Sequence, residues 1–127
     1  MVGEASHGTH EYYTWCTAIS KRLIEEKGFG FIAVEGDWPD CYKINRYVKG
    51  YSDAGDDIEQ VLKNFDRWPT WMWGNREVAA LAEWLREYNT RLRADKKVSF
   101  YGLGCLQSLG FNESDDELPG ERRPRCC

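Results

Sequence analysis

Residues 2–13, VGEASHGTHEYY, place four side chains able to exchange protons or hold a metal, Glu4, His7, His10 and Glu11, within one short stretch. His7 lies between Gly3 and Gly8, and a histidine with an ordinary pKa near ~6.5 accepts a proton from water at neutral pH. Glu4, three residues earlier, is placed to orient the imidazole. The flanking glycines permit the positive φ and close ligand approach that a site loop needs. Set against this is the commoner fate of a histidine, a hydrogen-bonded structural role. Metal binding is a rival use of the same four side chains, all of them ligand types. The E-x-x-H spacing of Glu4 and His7 belongs on a helix in di-metal bundles, and the glycines on either side argue against a helix. His7 and His10 also lack the H-E-x-x-H spacing of zinc proteases.

A second acidic pair, Glu35 and Asp37, closes the apolar run FIAVE at Phe31–Glu35. The stretch GFGFIA at residues 28–33 matches G-x-G-x-x-A only on paper. A dinucleotide fingerprint follows a strand and opens a helix, whereas this one follows a helix and opens a strand. Asn112-Glu113-Ser114 is a formal glycosylation sequon with nothing else pointing to secretion. Trp68, Trp71 and Trp73 alternate with smaller residues, which reads as a loop joining helices and packed on the core rather than as a ligand platform.

The elements that must position these residues follow from periodicity. Tyr12, Trp15, Ile19, Leu23 and Ile24, mostly three or four apart, predict a helix over residues 10–27 with one apolar face to bury, stopped by Gly28. FIAVE predicts a short buried strand. Pro39 suits the first turn of a second helix capped near Asp37 or Trp38, with Tyr42, Ile44, Tyr47 and Val48 on its faces and Gly50 at its end. Asp56 or Asp57 caps a short helix through Ile58, Val61, Leu62 and Phe65. Asn75 caps a long amphipathic helix carrying Val78, Leu81, Ala82, Leu85 and Leu92, and VSFYGL, residues 98–103, is the last strand. With MVGE as the stump of an earlier strand, the fold class is α/β, a partial parallel sheet with helical crossovers. In such sheets ligands bind outside the carboxyl ends of the strands, where Glu4, His7, Glu35 and Asp37 all fall. Only Met1–Gly3 remain of the first strand, so Met1 is expected to be internal or a mis-called start.

The 127 residues suit one small domain, and 42% apolar content with six tryptophans favours a packed interior. A net charge of -4 argues against nucleic acid as a partner. No apolar run is long enough to span a bilayer and no leader precedes the chain, so a cytoplasmic location without membrane association is expected. Five cysteines, with Cys105, Cys126 and Cys127 crowded near the end and no zinc spacing, do not read as a disulfide framework.

Four segments in register, GEASHGTHEYY, KRLIEEKGFGFIAVEGDWPDCYKINRYVKG, FDRWPTWMW and VSFYGL, make residues 2–103 resemble the erythromycin esterase family, especially its erythromycin-esterase-like and succinoglycan-biosynthesis-like branch of bacterial proteins. The resemblance implies an α/β hydrolase domain in which a histidine activates water for attack on an ester carbonyl, as in members that open macrolide lactones and confer resistance. On it, His7 is the histidine, Glu4 its partner and Glu35 a second-strand site glutamate, with Asp37, His10 and Glu11 in support. It implies no cofactor and a small-molecule ester substrate. A metal-dependent hydrolase on the same scaffold is the alternative, and a non-catalytic remnant is another. The absence of a G-x-S-x-G elbow fits a mechanism without a serine nucleophile.

Three departures from the family stand out. Cys16 occupies a position where the family has an arginine able to hold an anionic or tetrahedral group. The family domain continues far beyond this length, with further helices and a later site histidine. Where the family continues YGLD and VYSLW, this chain reads YGLGCLQSLGFNESDDELPGERRPRCC. Allowed codons for Gly104 onward, with one G removed, read DVYSLWDSMKAMTSYLENVDPDAA, which restores the aspartate, VYSLW and a helical pattern. Residues 1–103 are therefore expected to be the amino-terminal part of the domain and 104–127 an out-of-frame, disordered tail. The shift removes a site aspartate at the end of the last strand. It also leaves a sheet edge and helix faces uncovered, so the chain as written is expected to fold poorly or aggregate.

Overall fold

The computed structural model describes residues 8–65 and 70–104. The strand stump Met1–Gly3, Glu4, His7, Trp68 and the tail beyond Gly104 lie outside the described residues. The order is α1 (His10–Lys27), β1 (Phe31–Asp37), α2 (Trp38–Lys49), α3 (Ile58–Lys63), α4 (Thr70–Trp73), α5 (Arg76–Thr90), a 3-10 turn (Ala94–Lys96) and β2 (Ser99–Gly104). Among the described residues β1 and β2 form a two-stranded parallel sheet. Phe31 pairs with Ser99 and Val34 with Gly102; an irregularity follows, after which Asp37 pairs with Gly104.

The local signals act where the sequence puts them. Gly28 and Gly50 end α1 and α2 in left-handed conformation, and their N–H groups close on carbonyls of the last turn. Asp57 accepts from the N–H of Glu59 to start α3, and Asn75 accepts from the N–H of Val78 to start α5. Asp37 is the N-cap of α2 by backbone conformation, but its side chain does not bond to the helix. The aromatic stretch expected as a loop contains one helical turn, α4. Leu92 lies beyond the end of α5.

The core lies on one side of the sheet. Cys41, Ile44 and Val48 of α2, Ile58 and Val61 of α3, Val78, Leu81 and Leu85 of α5, and Val98 and Phe100 are all buried. Ile32 and Val34 pack against this core, while Phe31, Ala33 and Glu35, alternating with them, are exposed, as the period of two requires. Buried asparagines stitch the layers together. Asn89 donates to the carbonyls of Val48 and Val98 and accepts from the N–H of Val98, and Asn45 accepts from the N–H of Phe100.

One expectation holds only in part. Of the apolar stripe of α1, Ile24 is buried and Tyr12 and Leu23 are half-buried, but Trp15 is 69% exposed and Ile19 39%. At about 100° per residue, Tyr13, Thr17, Ser20 and Ile24 share one side of the helix, and Tyr12, Trp15, Ile19 and Leu23 centre roughly a third of a turn away. The first side faces the core, tied by Tyr13 to the carbonyl of Met72 and by Lys21 over the ring of Trp84 on α5. Tyr13 and Lys21 thus join the inward side of α1 to the tryptophan segment and to α5.

Candidate functional site

The carboxyl end of the sheet is built at close quarters. A Cβ on Gly36 would stand 2.9 Å from both the Cys41 sulfur and the indole nitrogen of Trp73. A Cβ on Gly102 would lie 2.6 Å from the Gly36 carbonyl and 2.9 Å from the same sulfur. Only glycine lets β1, β2 and the start of α2 approach this closely, so these residues set how tightly the sheet end closes.

Of the six residues singled out for chemistry, four are described. Glu35 is exposed at the end of β1, on the face of the sheet away from the core. Its backbone carbonyl accepts from the Trp73 indole at 2.8 Å. Asp37, beyond the irregularity that breaks the strand's alternation, has both carboxylate oxygens buried and acts on the Cys41 thiol in the core. His10, the first residue of α1, is paired through Nδ1 with Glu77 on the first turn of α5, and this bond is the main cause that holds the Glu77 carboxyl below its usual range. Glu11 is exposed beside it. Glu35 and Asp37 thus both lie near the carboxyl end of β1, one carboxylate exposed and the other buried, and His10 lies at a junction between helices. Cys16 is half-buried on α1.

Gly8, directly after His7 in sequence, has φ +84°. A left-handed residue there turns the chain sharply into Thr9 and α1, a conformation that any side chain but glycine adopts at a cost.

No sequence pattern singles out Cys41. It is fully buried, and burial first, then Asp40 and Asp37, push its thiol up to about 12. A thiol that stays protonated is no nucleophile at neutral pH. Asp40 is itself buried and paired with Lys43 at 2.9 Å. Among the described residues no three of His, Cys, Asp and Glu gather as metal ligands would.

The family model for erythromycin esterase matches residues 24–118. The chain belongs to the erythromycin esterase family. The two-stranded parallel sheet with its helices is thus part of an erythromycin-esterase-like α/β domain. An erythromycin esterase type II from Escherichia coli is 29% identical over 109 residues, covering 86% of this chain and 24% of that protein. The chain thus spans about a quarter of the length of the curated relative it matches. No solved structure matches it. In this family the sequence signal for Glu35 was its position as the last polar residue of an apolar strand. Trp73 and Tyr13 carried no such signal, because their roles depend on partners distant in sequence.

Proposed function

We propose that this chain is the amino-terminal part of a carboxylic ester hydrolase, with its water-activating histidine at His7. Membership of the erythromycin esterase family carries the reading, and the position of Glu35 at the carboxyl end of the parallel pair supports it. His7 takes a proton from water as the oxygen attacks the ester carbonyl. The tetrahedral intermediate collapses, and the proton passes to the departing alkoxide to give acid and alcohol. Glu4 orients the imidazole, Glu35 holds the water, and Asp37, His10 and Glu11 support the loop. The substrate is a small-molecule ester, and the macrolactone erythromycin is the first to try, given the activity named for the E. coli relative.

The test is His7→Ala in the full-length protein against erythromycin and simple aryl esters. Turnover is expected to fall by at least about 100-fold, the usual contribution of a general base; unchanged turnover ends the reading. In the same assay, dialysis against a chelator is expected to leave the rate unchanged. Loss on chelation, with recovery on adding a divalent metal, would replace the water mechanism with the metal-dependent alternative.

A further inference from the structure

We propose that Trp73 and Tyr13 form a positioning clamp for the site, fixing the start of α1 to the end of β1; the proposal rests on the assignment of His7 as the general base. The two chain segments given catalytic roles are far apart in sequence. In sequence His7 precedes α1 by the short link Gly8–Thr9, and Glu35 lies two residues before the end of β1. The tryptophan segment connects them. Tyr13, on the first turn of α1, donates its hydroxyl to the carbonyl of Met72 at 2.6 Å. Its ring meets that of Trp73 edge-on, with centroids 6.2 Å apart and planes at 85°. Trp73 in turn donates its indole N–H to the carbonyl of Glu35 at 2.8 Å.

The clamp is held from both sides. Asn75, which caps α5, also donates to the Met72 carbonyl at 3.0 Å, so the segment cannot slide without breaking a helix cap. On the other side the indole nitrogen lies where a Cβ at Gly36 would come within 2.9 Å, so the strand backbone forms a close socket for it. The contacts of Trp73 are directional: one hydrogen bond to the residue that carries a site carboxylate, and one ring edge to the helix that follows the site histidine. A tryptophan that merely filled space would need neither. Trp73 and Tyr13 act as positioning residues, fixing the first turn of α1 against the strand that carries Glu35.

The experiment compares Trp73→Phe, Tyr13→Phe, their double variant and His7→Ala in the full-length enzyme. Trp73→Phe keeps an aromatic ring and removes the donor; Tyr13→Phe removes one hydroxyl. Each single variant is expected to lower kcat about tenfold with KM held within about twofold, because small misplacement of a catalytic group costs rate more than binding. The double variant is expected to lose little more than the worse single, since both act through one chain of contacts. Hydrogen exchange should quicken over the first turn of α1 and remain unchanged in the middle of α5. An inactive His7→Ala beside a Trp73→Phe enzyme with unchanged kcat overturns the clamp alone. Full turnover in His7→Ala overturns the general base and the clamp's purpose with it. If Trp73→Phe does not fold, Tyr13→Phe decides: a kcat loss at constant KM supports the clamp, and unchanged kcat overturns it.

Discussion

A thiol beside two aspartates at the end of a parallel sheet sits where a nucleophile is often found, yet the surroundings of Cys41 remove that role. Burial, Asp40 and Asp37 all disfavour the thiolate, in that order. The folded protein therefore keeps the proton up to about pH 12, whereas an unfolded thiol releases it near 9. Above the unfolded value the unfolded state binds fewer protons, so stability falls as pH rises between these limits, by up to about 1.4 kcal/mol per pH unit. Urea melts of the full-length protein at pH 8, 9.5 and 11 should show that loss, and Cys41→Ala should reduce it, leaving the part due to Tyr47, whose phenol burial also pushes up. The His10–Glu77 pair belongs to the same scale but has little weight. His10 is 69% exposed, and removing an exposed ion pair changes stability by less than about 1 kcal/mol. A His10→Ala protein is thus expected to melt within a few degrees of the parent.

At the scale of elements, the starts and stops of the helices were readable because each is a local event. Asp57, Asn75, Gly28 and Gly50 bond within a few residues of themselves, and the sequence shows both partners at once. The joints between elements were not readable. Asn89, a polar residue on the core-facing stripe of the amphipathic helix α5, is 1% exposed and satisfies three backbone groups, the carbonyl of Val48 on α2 and the carbonyl and N–H of Val98 just before β2. Truncating it strands buried donors and acceptors. Asn89→Ala is expected to destabilise the full-length protein by roughly 3 kcal/mol, since each buried polar group left unmade costs about 1–3 kcal/mol. A chemical-denaturation curve with a lowered midpoint and unchanged slope is the expected result; a midpoint that stays put would show that water replaces the asparagine.

At the scale of the whole molecule, the described residues leave two apolar surfaces open. One is the sheet face bearing Phe31 and Leu103, 59% and 70% exposed; the other is the outer side of α1 with Trp15 and Ile19. Parallel sheets are normally covered on both faces, and two strands alone are marginal. The purified 127-residue chain is therefore expected to aggregate and to melt without a cooperative transition; a sharp, reversible calorimetric transition would refute this. Among the described residues no helix is long and apolar enough to cross a membrane.

The sequence by itself determined the longer helices and the two described strands, the caps at Asp57 and Asn75, the glycine stops and the family. These follow from side-chain spacing and from bonds within a turn or two, which depend only on neighbours in the chain. Tertiary structure alone decided which side of α1 faces inward, why a cysteine among aspartates stays protonated, and that Trp73 joins α1 to β1. Each of these depends on groups tens of residues apart, such as Tyr13 with Met72 and Trp73 with Glu35, whose meeting no local pattern records. An apolar stripe states what a helix can bury. Directional contacts decide what it does bury, because a hydrogen bond fixes a rotation that non-directional hydrophobic burial leaves open.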